Sequence, residues 1–195
     1  MQTWNMETYV YLLQHAGYKV DVLLNEQVSI SFLKVGLAKY DLIILRTDFF
    51  NDESASYYCS GEVVTSDTAS AFANEISAGE LKIGVCLGFS SLFLRHYYQS
   101  NSLRAGLVYV LSGASSELSS ALVDAGASVF VGYDQVFTLR WGRMDAFSQA
   151  FFKYLARGYS VEDAQVELRA YLIMGHGVTA DWPSMRLIGD LDYKI

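Results

Sequence analysis

Leu107 to Asp134, LVYVLSGASSELSSALVDAGASVFVGYD, is the stretch whose reading decides the fold. Leu107 to Leu111 is an unbroken apolar run of strand length, and Ser128 to Gly132, with VFV at its centre, reads as a second buried strand. Between them lie a turn of small residues, Ser112 to Ser116, and a helix over about Glu117 to Asp124. Continuous apolar strands are those buried on both faces of a parallel sheet, so the stretch reads as one βαβ unit. Its chemistry is expected at the turn. Unpaired backbone N–H groups at a helix start, beyond the carboxyl end of a parallel strand, are where such folds place nucleophiles and anion sites.

Outward from this unit the same alternation of strand and helix continues. Asn5 to His15 carries apolar residues near helical spacing and is stopped by Gly17, Lys19 to Leu24 reads as a strand, and Val28 to Lys39 as a second amphipathic helix. Tyr40 to Arg46, YDLIILR, is another buried-type strand. Thr47 to Tyr58 has no period and is expected to be a loop; Ser60 to Thr65 and Lys82 to Leu87 read as short strands. Ser66 with Asp67 starts a helix that Gly79 ends, and Ser90 to Tyr98 is a further helix. Towards the carboxyl end, Met144 to Ala156 and Val161 to Met174 are helices, and Met185 to Ile188 is a closing strand. The alternation predicts one α/β domain over residues 1–195, a three-layer α/β/α sandwich around a mostly parallel central sheet.

Charge and composition narrow the function. A net charge of −7 with no Lys/Arg cluster gives no footprint for nucleic acid. No apolar run approaches the roughly 18 residues of a membrane-spanning helix. The first ten residues lack the pattern of a signal peptide. Two cysteines, Cys59 and Cys86, form no metal-ligand spacing, so no metal and no cofactor is expected. Their sparseness fits a reducing compartment, slightly favouring the cytoplasm, with a single disulfide left open. Cys86 reads as a buried small hydrophobe and Cys59 as an exposed thiol.

With these elements in place, the chain resembles the caspase-haemoglobinase fold of cysteine peptidases, closest to the clostripain, gingipain and prokaryotic caspase-like group. The resemblance rests on LIILRTD (Leu42 to Asp48), VLSGASS (Val110 to Ser116) and SALVDAGASVFVGYD, supported by GEV (Gly61 to Val63) and MRLIGD (Met185 to Asp190). It implies a caspase-like topology in which one strand ends at a general-base histidine and a later strand at a nucleophilic cysteine. In this chain those two positions hold Asp48 and Ala114. A methyl group cannot attack a carbonyl, and Asp48 has no thiol to activate.

The resemblance therefore implies a catalytically inactive homologue that binds a peptide or protein partner. The alternative is a clostripain- or gingipain-like cysteine endopeptidase represented here in an inactivated form. Beside the two dyad positions, Gly113, Ser115, Tyr133 and Asp134 are the expected substrate-binding residues, Asp134 for a basic side chain. The hydroxyls of Ser112, Ser115 and Ser116 read more simply as caps of the following helix than as replacement nucleophiles. His176, in MGHGV, lies after the last helix, far from the dyad position. Relatives also carry a central strand ahead of the first helix, and none precedes Asn5 here. Either the chain is a fragment, or its sheet is completed by another segment or subunit, or the strand has been lost, and an uncovered sheet edge would favour pairing with another chain, a homo-oligomer included.

Overall fold

In the computed structural model, which describes residues 6–134, 141–176 and 184–195, the strand Leu107–Leu111 (β6) is buried at every position. Its side chains divide by the two-residue period of a strand: Leu107, Tyr109 and Leu111 enter one apolar cluster, Val108 and Val110 the other. The first cluster contains residues of the helices Met6–His15 (α1), Trp141–Leu155 (α7) and Val161–His176 (α8). Residues of Ile30–Val35 (α2), Ser91–Tyr97 (α5) and Ser119–Asp124 (α6) belong to the second. An apolar run with no polar alternation is thus covered on both sides, as its sequence requires.

β6 sits between Leu42–Arg46 (β1) and Val129–Tyr133 (β7), parallel to both, and Met185–Gly189 (β8) closes the far side antiparallel to β7. The strand order β1-β6-β7-β8 confirms the mostly parallel sheet. Among the described residues β1 has no strand on its other edge. Lys19 to Leu24, expected as a strand, enters no ladder and has no regular structure. Its alternation is satisfied instead by packing: Val20 and the neighbouring Tyr18 lie against the first cluster.

A second sheet was not expected from the sequence. Phe49–Asn51 (β2), Ser56–Cys59 (β3), Leu87–Phe89 (β5) and Leu81–Ile83 (β4) form a four-stranded antiparallel sheet in that order. The supposed loop from Thr47 to Tyr58 is a hairpin, closed without glycine by Asp52, whose Oδ1 accepts from the Ser54 and Ala55 amides at 2.7 and 3.0 Å. Aromatic pairs hold its register: Phe49 stacks on Tyr58 and Phe50 on Tyr57. The single strand expected at Lys82 to Leu87 is likewise a hairpin, broken at Gly84 to Cys86, and Ser60 to Thr65 is not a strand.

Ser66–Ala71 (α3) and Ala73–Ser77 (α4) make the helical segment before Gly79, and its cap is Thr65 rather than Ser66. Gly79 adopts φ +72°, which suits a residue without a Cβ at a helix stop. Glu75 of α4 ties this segment to the core. Its carboxylate accepts from Lys34 Nζ of α2 at 2.5 Å and from the Tyr97 hydroxyl of α5 at 2.7 Å. The ammonium lies 5.2 Å from the Phe72 ring centroid and 4.8 Å from that of Tyr97.

Burial alone would push the Glu75 carboxyl up, but the bonds from Lys34 and Tyr97 outweigh it and hold the group at about 2. A depressed carboxylate contributes stability fully present above its ordinary 4.5 and lost as pH falls towards 2. Glu75→Gln is therefore expected to be less stable at neutral pH and to have a shallower acid limb between those values. Urea unfolding midpoints measured across pH 2–7 check this; a limb as steep as that of the unaltered chain would contradict it.

Candidate functional site

Asp48 and Ala114, the two positions singled out by the resemblance, follow adjacent parallel strands. Arg46 pairs with Leu111, so Asp48 follows β1 and Ala114 follows β6 on the same, carboxyl side of the sheet. The Thr47 amide donates to the Leu111 carbonyl at 3.3 Å, continuing the ladder to the edge of both turns. Asp48 is exposed and Ala114 buried.

Ala114 has φ +51° and ψ 20°, a left-handed backbone that costs an L-residue about 1–2 kcal/mol. That conformation is fixed from the second sheet. The Tyr58 hydroxyl, fully buried, donates to the Ala114 carbonyl at 2.7 Å. A Cβ on Gly113 would stand 2.3 Å from the Phe49 ring, so the turn packs directly on β2. Beyond Ala114 the chain makes a short 3-10 turn, Ser115–Leu118, before α6.

Of the residues expected to bind substrate, Ser115 and Tyr133 take structural places. Ser115 Oγ donates to the Val110 carbonyl and accepts from the Tyr133 amide, both at 3.0 Å, stitching the ends of β6 and β7. It makes no side-chain cap, and the capping reading fails because the strand ends offer it a buried acceptor and donor first. Ser116 does not cap through its side chain either; its carbonyl accepts from the Ser119 hydroxyl. The hydroxyl of Ser112 is buried with no partner among the described residues.

Tyr133 is fully buried, and its hydroxyl meets that of Tyr109 at 2.5 Å. It belongs to the core rather than to an open cleft. Asp134, by contrast, is exposed at the end of β7 and remains available, its amide bonded to the Ser184 carbonyl at 3.2 Å. The side chain of His176 lies outside the described residues.

Cys59 and Cys86 are joined in a disulfide with Cα atoms 5.6 Å apart, so neither is a free thiol. Cys59 is paired opposite Gly88 across β3 and β5, which brings the two sulfurs within bonding reach. The expectation of a reducing compartment loses its basis. Cys59 also touches the site through its backbone. Its amide donates to the Asp48 carbonyl at 2.9 Å, and its carbonyl accepts from the Thr47 hydroxyl at 2.6 Å.

One further pair escaped the sequence. Arg46, the last residue of β1, donates from Nε and Nη2 to the two carboxylate oxygens of Asp145 in α7, at 3.0 and 3.2 Å. Asp145 is almost wholly buried. Nothing in the spacing of two residues 99 apart announces such a fork-to-fork contact.

The assembled site is a turn with a left-handed apex after β6, an exposed aspartate after the neighbouring β1, and a second exposed aspartate at the end of β7. It offers no nucleophile at the apex. Among the described residues no group of three or more His, Cys, Asp or Glu is placed to hold a metal ion, and no helix is long and apolar enough to cross a membrane. No protein-family model matches the chain, and no curated protein is similar to it in sequence.

Proposed function

We propose that the chain is a non-catalytic relative of the caspase-haemoglobinase peptidases, a three-layer α/β/α domain that holds a peptide or protein segment at the carboxyl ends of β1 and β6. The observation that carries this reading is that Asp48 and Ala114 follow neighbouring parallel strands on the same side of the sheet, with Ala114 held in a left-handed turn. Strain kept at one residue and enforced by a buried tyrosine is characteristic of sites rather than of idle turns. Helices packed against both faces of β6 support the layer arrangement. The exposed Asp134 supplies recognition of a basic side chain, and the edge of β1, which no strand among the described residues occupies, accepts an added strand from another chain.

Fluorescence anisotropy with a library of unstructured basic peptides tests the reading. Saturable binding without cleavage is expected, weakened at least about tenfold in Asp134→Lys by charge reversal. Absence of binding to the folded protein would sink it. The same turn geometry favours the second reading, an endopeptidase in inactivated form, and Asp48→His with Ala114→Cys separates the two. Peptide cleavage by that folded double variant carries the second reading; continued inactivity counts against it.

A further inference from the structure

We infer that the Cys59–Cys86 bridge is a redox latch on the cleft, an inference that rests on the proposed site for its consequence but not for its test. Both positions of the cleft hang from β3. Tyr58 holds the Ala114 carbonyl through its hydroxyl, and the next residue, Cys59, holds Thr47 and the Asp48 carbonyl through its backbone. The bridge fastens β3 at that same residue to the turn between β4 and β5.

Apart from the bridge, every tie at the end of β3 is non-covalent: the ladder with β2, two residue pairs with β5 (Tyr58 with Phe89 and Cys59 with Gly88), the Ser60 amide and hydroxyl, which both donate to the Leu87 carbonyl, and the Gly61 amide, which donates to the Val28 carbonyl. The bridge is also reachable. Both cysteines are half-buried rather than enclosed, and the neighbouring Val85 is 87% exposed. A dithiol reductant attacks one sulfur as its thiolate, forming a mixed disulfide, and its second thiol resolves that intermediate. The S–S bond breaks, Cys59 and Cys86 gain two electrons and two protons as thiols, and the reductant leaves as a disulfide. Reduction then frees the end of β3 and, with it, the backbone bonds that fix Thr47 and Asp48.

Amide hydrogen exchange read by mass spectrometry over minutes, in the full chain without any peptide and with dithiothreitol as the reductant, tests the latch. On this timescale only local opening is seen while the core remains folded. Segments 47–60 and 81–89 are expected to exchange about tenfold faster or more after reduction, while 107–111 and 129–133 stay protected in both states. Unchanged exchange in the first two segments would overturn the inference. So would loss of protection in all four together, which marks general destabilisation. Cys59→Ser with Cys86→Ser should reproduce the reduced pattern; should that variant not fold, reduction of the folded chain still decides. Peptide binding by the oxidised protein is scored separately, so an empty cleft and an idle latch give different results.

Discussion

Replacing both cysteines by serine is expected to lower the stability of the chain by about 3–4 kcal/mol, from the loop-closure entropy that a bridge across 27 residues removes from the unfolded state. For a chain of 195 residues that corresponds to a fall in melting temperature of about 6–16 °C. The effect acts chiefly on the unfolded chain, so the folded core should keep its near-ultraviolet circular dichroism in the variant. Urea titration of the oxidised chain, the reduced chain and the double serine variant provides the check, with the last two coinciding. A difference below 1 kcal/mol would mean that the native bridge carries compensating cost or that the unfolded chain is already restricted. Global loss and local loosening of β3 are separable, since the first is read from the unfolding midpoint and the second from minutes of exchange under native conditions.

How much of this could be read from the sequence differs between the two sheets. β1, β6 and β7 were legible because each is an apolar run bounded by small or polar residues, and burial, complete for LVYVL and VFVGY and partial for LIILR, leaves them no other use. Helix stops at Gly17, Gly79 and Gly158 were legible for the same local reason. The antiparallel sheet was not. Its strands are three or four residues long, and its first hairpin turns on Asp52 instead of the glycine or asparagine pairs that usually announce one. Its register depends on Phe49 meeting Tyr58 and Phe50 meeting Tyr57, pairs visible only after the turn is known.

The candidate site divides in the same way. The apex turn SGASS was legible as a turn after a buried strand, and the resemblance placed Ala114 at it. What holds the turn in its left-handed form comes from Tyr58, 56 residues earlier. Ser115 was misread because a hydroxyl ahead of a helix suggests a cap, whereas the ends of β6 and β7 claim it first. Lys19 to Leu24 has the alternation of a strand but no ladder partner, which shows that pattern alone does not supply a neighbour.

Asp145→Ala is expected to cost about 1.5–3 kcal/mol, the worth of a hydrogen-bonded contact between charged groups that is mostly withdrawn from water. The Arg46 guanidinium, its side chain 22% exposed, would lose both of its bonds to the Asp145 carboxylate at once. Replacement of both residues by apolar ones of similar volume, Arg46→Met with Asp145→Leu, should recover most of that loss, because nothing charged is then left in the core. Arg46→Lys is expected to fall between the two, for an ammonium cannot reproduce the planar two-bond contact. Urea unfolding of the four chains provides the measurement; a double variant no more stable than Asp145→Ala would show that the pair is needed for its shape and not merely for charge neutrality. The outcome reaches the site. Arg46 is the last residue of β1, two before Asp48 and three before the start of β2. If the apolar pair restores stability yet weakens peptide binding, the ion pair is a positioning device for the Asp48 side of the cleft, beside the Cys59 backbone, while Tyr58 serves the Ala114 side. Stability and binding recovered together would make it a packing contact that an apolar pair fills equally well.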